Sequence, residues 1–228
     1  AFDGRPLTAK MTGIANVLRS VLDSLVKHHP EIRIIIFAPS AFDDSLDRDY
    51  CKFPNVTVVR RKFISEKLPK LIWYNLHMPF IMRGYGVTDF VSVRTELPLW
   101  LPRKIRRIAF VHDVVAIEYP ETMELKNRLV NRIFFSRTIR KADLLWCVPN
   151  YTKSRVVNYF PESEPRIRMV GIGAGTDIFR DLSLGDQEKK EYLDELGVTG
   201  RPLLFVGSLE PRKNLSFLLD LMPELYRR

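Results

Sequence analysis

The sequence predicts an α/β fold: a doubly wound parallel sheet with helices on both faces. Short apolar segments rich in Val and Ile recur along the chain, as is typical of strands that are buried on both sides. Segments with helical spacing of apolar residues separate them, and this alternation favours a parallel sheet with helical crossovers. The composition is that of a globular protein, since 46% of the 228 residues are hydrophobic and 28% are charged.

Six segments are predicted strands, and the opening AFDGRPL is a candidate strand ahead of them. The clearest helix follows Thr12 and Gly13, where apolar residues repeat at helical spacing from Ile14 to Val26 before His28, His29 and Pro30 end it. The predicted strands are 32–39, 55–60, 88–94, 105–112, 142–148 and 166–171.

The organisation changes after GIGAG (171–175), whose spacing is not the G-x-G-x-x-G of a dinucleotide-binding turn. A polar stretch with a short helical pattern follows and is a predicted linker, 176–200. RPLLFVGS (201–208) is a predicted strand and LSFLLDLMPEL a predicted amphipathic helix. One βα unit cannot cover both of its own faces, so 201–228 is expected to open a second, incomplete domain after a first domain at 1–175.

The net charge of +9 is concentrated in one quarter of the chain. Residues 51–107 contain 12 basic and three acidic residues, whereas the rest of the chain has 24 of each. Such a patch favours an anionic partner: a membrane surface, an acidic substrate or nucleic acid. The two cysteines, Cys51 and Cys147, give no disulfide framework, and Cys147 is predicted to be a buried strand thiol. Neither a signal peptide nor a membrane-spanning run is expected, which favours a cytoplasmic location.

Ligands of open α/β sheets bind beyond the carboxyl ends of the strands, so candidate residues are sought there. Gly13, at the start of the first helix, would let a ligand approach the free N–H groups, although a tight turn is an equal alternative. His112 could orient a sugar hydroxyl or move a proton, or it could be structural. Asp113 could hold the His112 ring or cap the next turn, and Asn150 or Thr152 is the predicted N-cap of another helix.

EPRKN (210–214) is the fourth such position. Pro211 suits a helix start, and Arg212 and Lys213 beside exposed N–H groups would bind a diphosphate; the alternative is a solvated charged turn.

These motifs together resemble the retaining glycosyltransferases of family GT4, which have the GT-B fold of two Rossmann-like domains. The resemblance rests on DGRPLTAKMTGIANVLRSVL, FVHDVVAIEYPE, ADLLWCVPNYTKS and LLFVGSLEPRKNL, which occur in the family's order. It implies an acceptor-side domain followed by the first piece of a nucleotide-sugar domain. Ser208 stands where many relatives have arginine, and Asn150 replaces the usual serine. The family's paired glutamates have no counterpart in these 228 residues.

The resemblance implies transfer of a sugar, with retention, from a nucleotide-diphosphate donor to a glycan or lipid-linked acceptor, with no cofactor and no metal. It gives His112 and Asp113 catalytic roles, and it gives Gly13, Arg212 and Lys213 to the donor diphosphate. Arg94 and Glu96 are expected to contact the acceptor, with exposed loop charges as a near-equal alternative.

The basic segment RRKFISEKLPKLIWYNLHMPFIMR (60–83) has two interpretations. Leu68, Leu71, Ile72 and Leu76 share a helical face that either packs against the sheet or rests on anionic lipid, which would make the protein peripheral on the inner face of a membrane. Two other functions stay open. One is a non-catalytic basic binding protein, although the sequence contains no RNA-binding or zinc motif, and the other is a GT-B sugar-nucleotide epimerase.

Overall fold

A seven-stranded, all-parallel sheet forms the centre of the first of two units. The computed structural model of the chain describes residues 1–8, 12–39, 49–60, 69–123, 125–171, 173, 183–199, 202–207 and 209–225. Contacts divide the chain into a first unit, Ala1–Gly173, and a second unit, Ala174–Arg228. Each is described by itself below.

The strands confirm the predicted segments, and the opening segment does form a strand. They are one to three residues shorter at their ends than the apolar runs, because only residues paired to a neighbour belong to the sheet. The spatial order is β3-β2-β1-β4-β5-β6-β7. The strands are β1 (Phe2–Asp3), β2 (Ile34–Ala38), β3 (Val56–Arg60), β4 (Asp89–Ser92), β5 (Arg106–Val111), β6 (Leu144–Cys147) and β7 (Ile167–Met169).

Helices cover both faces of this sheet, as the doubly wound prediction requires. Along β2, Ile34 and Ile36 belong to the apolar cluster that includes Leu18, whereas Ile35 and Phe37 belong to the cluster on the other face. Helix α1 (Gly13–His28) lies on the first face. Helix α2 (70–82), α3 (Val115–Glu118), α4 (Leu125–Lys141) and α5 (Asn150–Tyr159) contribute to the second. The arrangement is consistent with a Rossmann-like fold.

Helix α2 is not regular, and it buries a different face from the predicted one. It consists of Lys70–Ile72, a π-helical turn at Trp73–His77, and Met78–Met82. Trp73, Tyr74 and Met78 are buried, and the predicted packing of Leu71, Ile72 and Leu76 against the sheet is wrong.

Those three side chains are 61%, 42% and 48% exposed, and Phe80 is exposed beside them. Leu68 lies outside the described residues. We call the exposed set Leu71, Ile72, Leu76 and Phe80 the outer face of α2.

The second unit contains helix α6 (Asp186–Glu195), a 3-10 turn (Pro211–Lys213) and helix α7 (Leu215–Leu225). The predicted helices therefore form. The predicted strand at 201–208 is not formed by its described residues, because none of the described segments pairs with it; Leu204, for example, is 87% exposed. Of the helices in the described ranges, none combines the length and the apolar character needed to cross a bilayer.

Candidate functional site

The strand order predicts a ligand-binding crevice beside β1. From β1 the chain proceeds to β2 on one side and later crosses to β4 on the other, so the direction of winding reverses between β1 and β4. Connections leaving two neighbouring strands in opposite directions open a crevice at their carboxyl ends, where α/β proteins bind ligands. The residues that follow β1, β4 and β5 therefore form the candidate site.

Gly4 makes the first turn of this site possible. Its N–H donates to the carbonyl oxygen of Phe37 at 2.8 Å, which holds the backbone against β2. A Cβ atom at this position would lie 2.9 Å from both that oxygen and Cγ2 of Ile36, so no larger residue fits without a shift of backbone. The close approach delivers Arg5 to the carboxyl edge of the sheet.

Arg5 is the most tightly held charged side chain of the site. Its Nε and Nη2 donate to the carboxylate of Asp3, with an Nη2–Oδ2 distance of 2.8 Å, and Asp3 is fully buried. Nη2 also reaches Oε2 of Glu96 at 3.1 Å, and the guanidinium lies 3.4 Å from the centre of the Tyr74 ring. Burial alone would lower the pKa of Arg5, but Asp3, Tyr74 and Glu96 outweigh it and raise the pKa. Arg5 thus carries a permanent positive charge.

Glu96 links Arg5 to the residues predicted to contact an acceptor. Its Oε1 lies 3.2 Å from Nη2 of Arg94, and its backbone carbonyl accepts a hydrogen bond from the Tyr74 hydroxyl at 2.7 Å. Both Arg94 and Glu96 remain partly exposed, so a ligand can reach them. Both oxygens of Glu96 are engaged by arginines, which leaves the Arg94 guanidinium as the more available group.

His112 is fixed at the carboxyl end of β5, next to the end of β4. Its Nε2–H donates to the carbonyl oxygen of Val93 at 2.8 Å, and its ring stacks on Phe110 with centroids 5.8 Å apart. A carbonyl accepts only, so Nε2 carries the proton, and in the neutral imidazole Nδ1 then keeps a lone pair. No described residue donates to Nδ1. The ring can therefore accept a hydrogen bond from a ligand hydroxyl.

The Asp113 side chain bonds to the backbone. Its Oδ1 accepts the N–H of Val115 at 3.2 Å at the start of α3, which agrees with the prediction that Asp113 serves the next turn. The catalytic role of Asp113 stays a prediction. The N-cap prediction for Asn150 or Thr152 is wrong, because α5 begins at Asn150 with Pro149 as N-cap and no capping side chain. Thr152 is buried and instead donates to the carbonyl oxygen of His112 at 3.0 Å.

Glu118 ties the segment after His112 to α5. Its carboxylate accepts from Nε of Arg155 and from the hydroxyls of Tyr151, at 3.2 Å, and Tyr159, at 3.3 Å. Arg155 also donates to the Tyr159 hydroxyl at 3.0 Å. The bond from Glu118 raises the pKa of Arg155, so the pair stays charged. We call these four residues the Glu118 latch; it ties the end of α3, six residues after His112, to α5.

The predicted diphosphate residues lie apart from one another in the chain. Gly13 is the first residue of α1 and is exposed, and a Cβ atom added there would meet nothing within 4 Å, so no contact among the described residues demands glycine. Thr12 caps α1 by accepting from Ala15 N–H at 3.3 Å. Lys213 is exposed in the 3-10 turn of the second unit, before Asn214 in the left-handed conformation. The Arg212 side chain lies outside the described residues.

Sequence reasoning missed Asp3, Arg5, Tyr74 and Glu118. Asp3 and Arg5 flank a glycine directly after a strand, which is a signal that could have found them. Tyr74 and Glu118 reach the site through tertiary packing and leave no such signal. The described part of the chain contains no group of three or more His, Cys, Asp or Glu placed to hold a metal ion. No protein-family model matches the chain, and a comparison with curated proteins gives no match.

Proposed function

We propose that the protein is a GT4-like retaining glycosyltransferase that moves a sugar from a nucleotide-diphosphate donor to a glycan or a lipid-linked acceptor. The observation that carries the proposal is His112. Its ring is immobilised at the carboxyl end of β5, with Nε2–H bound to Val93 and Nδ1 left as an acceptor. That arrangement suits a residue that orients a sugar hydroxyl at a reacting centre.

The chemistry of such an enzyme is positioning together with stabilisation of charge on the departing diphosphate. In the proposal, His112 Nδ1 accepts a hydroxyl of the donor sugar. Within the first unit, the first N–H groups of α1 at Gly13 are the proposed ligands of the diphosphate oxygens. Within the second unit, Arg212 and Lys213 are the residues that the resemblance gives to the diphosphate. Asp113 acts through the backbone of α3, since its carboxylate accepts the N–H of Val115, and so keeps the segment after His112 in place.

The acceptor side of the proposed site is the cluster of Arg5, Arg94 and Glu96. Arg5 is locked by Asp3, so it positions Glu96, and the partly exposed Arg94 is the group that meets a polar or anionic acceptor. A lipid-linked acceptor would place the enzyme against a membrane. The exposed outer face of α2, within the basic quarter of the chain, supports a peripheral location on anionic lipid on the cytoplasmic side. Surface-polysaccharide synthesis is the setting that we propose.

The test is sugar transfer by the protein with a panel of nucleotide sugars. Replacing His112 with Ala should lower turnover about 100-fold or more, because an interaction made at the reacting centre is lost. His29→Ala is the matched control: His29 is exposed at the other end of α1, where it pairs with Glu31. Turnover within a factor of about two of wild type in a folded His112→Ala protein would remove His112 from the mechanism.

The same assay separates the alternatives. An epimerase converts the nucleotide sugar without an acceptor, whereas a transferase releases the nucleoside diphosphate only as product forms. A non-catalytic basic protein does neither and would bind nucleic acid with an affinity that falls steeply with salt.

A further inference from the structure

A cavity of the first unit lies towards the edge of the sheet at which the strands begin, away from the carboxyl ends that carry the candidate site. It has a volume of about 660 Å³, and the loop from Pro98 to Pro102 forms one wall. Arg107, near the start of β5, and Lys141, the last residue of α4, form another part of the lining. Arg83, which precedes β4, completes this side.

The charged lining of this cavity is entirely positive. Five cationic side chains face it and no carboxylate does: Arg83, Arg103, Arg107, Arg137 and Lys141. Among the described residues, none of the five forms an ion pair. We call these five residues the cation pocket. Elsewhere in the first unit, arginines such as Arg5, Arg106 and Arg155 do pair with carboxylates.

Carbonyl groups fix two of the five cations in place without neutralising them. Arg137 donates from Nη1 to Leu97 O at 3.2 Å and from Nη2 to Leu99 O at 2.9 Å. Arg107 reaches Lys141 O with a longer Nη1–O distance of 3.4 Å. Partial burial, and then the charge of Arg107, lower the pKa of Arg137. The carbonyl groups thus hold the positively charged side chains of Arg107 and Arg137 close to each other.

Helix electrostatics explain only part of this arrangement. Lys141 lies in the last turn of α4, where a cation is favourable, and Arg107 contacts a carbonyl of that turn. Arg83 and Arg103 belong to other segments and gain nothing from that helix end. Their convergence on one cavity with three further cations raises the local potential, which an anion would relieve.

We propose that the cation pocket binds a phosphate group. Guanidinium forks match phosphate oxygens in pairs, and several arginines around one cavity are the usual composition of such a site. The rim is apolar, because Trp100 is 59% exposed and Leu99 lies beside it. The ligand therefore carries a phosphate next to an apolar or planar part. A phospholipid headgroup and a soluble phosphorylated molecule share that chemistry, and the site does not depend on sugar transfer.

Trp100 provides the readout. It is the exposed tryptophan of the lining, whereas Trp73 is buried in the core, so its fluorescence should change when the pocket fills. Inorganic pyrophosphate is the soluble probe. Vesicles of phosphatidylcholine alone and of phosphatidylcholine mixed with equimolar phosphatidylglycerol are the lipid probes. Trp100→Phe should abolish the signal and confirms its origin.

The test compares two variants that lose the same charge. Arg83→Gln with Arg103→Gln removes two exposed cations of the pocket, and Arg33→Gln with Lys104→Gln removes two exposed cations that do not line it. The first should raise Kd by about tenfold or more, and the second by less than about threefold, since a factor of ten is about 1.4 kcal/mol. Lys104 is adjacent to Arg103 in the chain, so single exchanges at these two positions are a finer comparison.

Both sources of phosphate have a defined outcome. Pocket-dependent binding of pyrophosphate indicates a soluble ligand, and pocket-dependent binding of the anionic vesicles with weak pyrophosphate binding indicates a lipid headgroup; either supports the proposal. Equal weakening by the two double variants would reduce the effect to general charge and overturn it. Failure of both probes to bind the folded wild-type chain would do the same.

Discussion

Replacing Arg5 with Met should strongly destabilise the first unit. The Arg5 guanidinium is the cation that pairs with Asp3, and Asp3 is fully buried. Removing the guanidinium therefore leaves a carboxylate in the interior without a cation. Breaking a buried pair by removing one partner typically costs about 3–5 kcal/mol. The 3.4 Å stack on Tyr74 and the bond to Glu96 would be lost as well, so we expect the upper part of that range.

The matched control is Arg19→Met. Arg19 also has two carboxylate partners, Asp23 at 3.8 Å and Asp49 at 3.7 Å, but all three side chains are about half exposed. Exposed pairs contribute about 0–1 kcal/mol, so the control should lose no more than that. Burial, not the number of partners, separates the two predictions.

The assay is urea denaturation followed by tryptophan fluorescence. All three tryptophans, Trp73, Trp100 and Trp146, belong to the first unit, so the signal reports its unfolding. Adding Asp3→Asn to Arg5→Met removes the unpaired charge, and the double variant should therefore lose less than the sum of the single losses. A loss below about 1 kcal/mol for Arg5→Met, or strict additivity in the cycle, would refute the argument.

Three further predictions concern single contacts. Thr152→Val should cost about 1–2 kcal/mol in urea denaturation, because the carbonyl of His112 loses a buried donor, and it should lower sugar transfer less than His112→Ala does. Burial raises the pKa of the Cys147 thiol to about 11, well above its ordinary value. Alkylation near neutral pH should therefore modify the exposed Cys51 and leave Cys147 unmodified until the protein unfolds, as measured by mass spectrometry. Exchanging Leu76 and Phe80 of the outer face of α2 for Ser should weaken binding to anionic vesicles in a sedimentation assay without lowering the melting temperature, since both side chains are exposed; unchanged vesicle binding would remove that face from the interaction.

The sheet could be predicted because buried parallel strands have a local signature. β2 contains IIIFA with all five residues buried, so no other assignment competes with a strand there. Segment 202–207 has a similar composition and forms no strand, because pairing depends on a neighbour that composition does not encode. The outer face of α2 was misjudged for a different reason: helical spacing identifies Leu71, Ile72 and Leu76 as one face, but spacing does not say whether that face turns to the sheet or to solvent.

Only part of the site could be predicted, because contacts between residues far apart in the chain leave no local pattern. His112 could be found because it directly follows a strand, but what holds it could not. Thr152 has the residue type of an N-cap, yet its hydroxyl reaches 40 residues back to His112 instead. Asp3 and Arg5 bond each other locally, but Glu96 and Tyr74 join them only through the sheet and α2.

The contacts of His112 come from three independent elements, and this is what makes it a good positioning group. Val93 after β4 holds Nε2, Phe110 within β5 supports the ring face, and Thr152 of α5 binds the backbone carbonyl. A ring held by one contact could rotate to follow a ligand, whereas a ring bound through Nε2 and stacked on Phe110, on a backbone anchored by Thr152, presents Nδ1 in one direction. Such preorganisation means that little ordering remains to be done when a hydroxyl binds, so the interaction can be used for orientation. The Glu118 latch restrains the segment that follows His112 as well, because the Glu118 carboxylate ties α3 to α5 through Arg155 and two tyrosines.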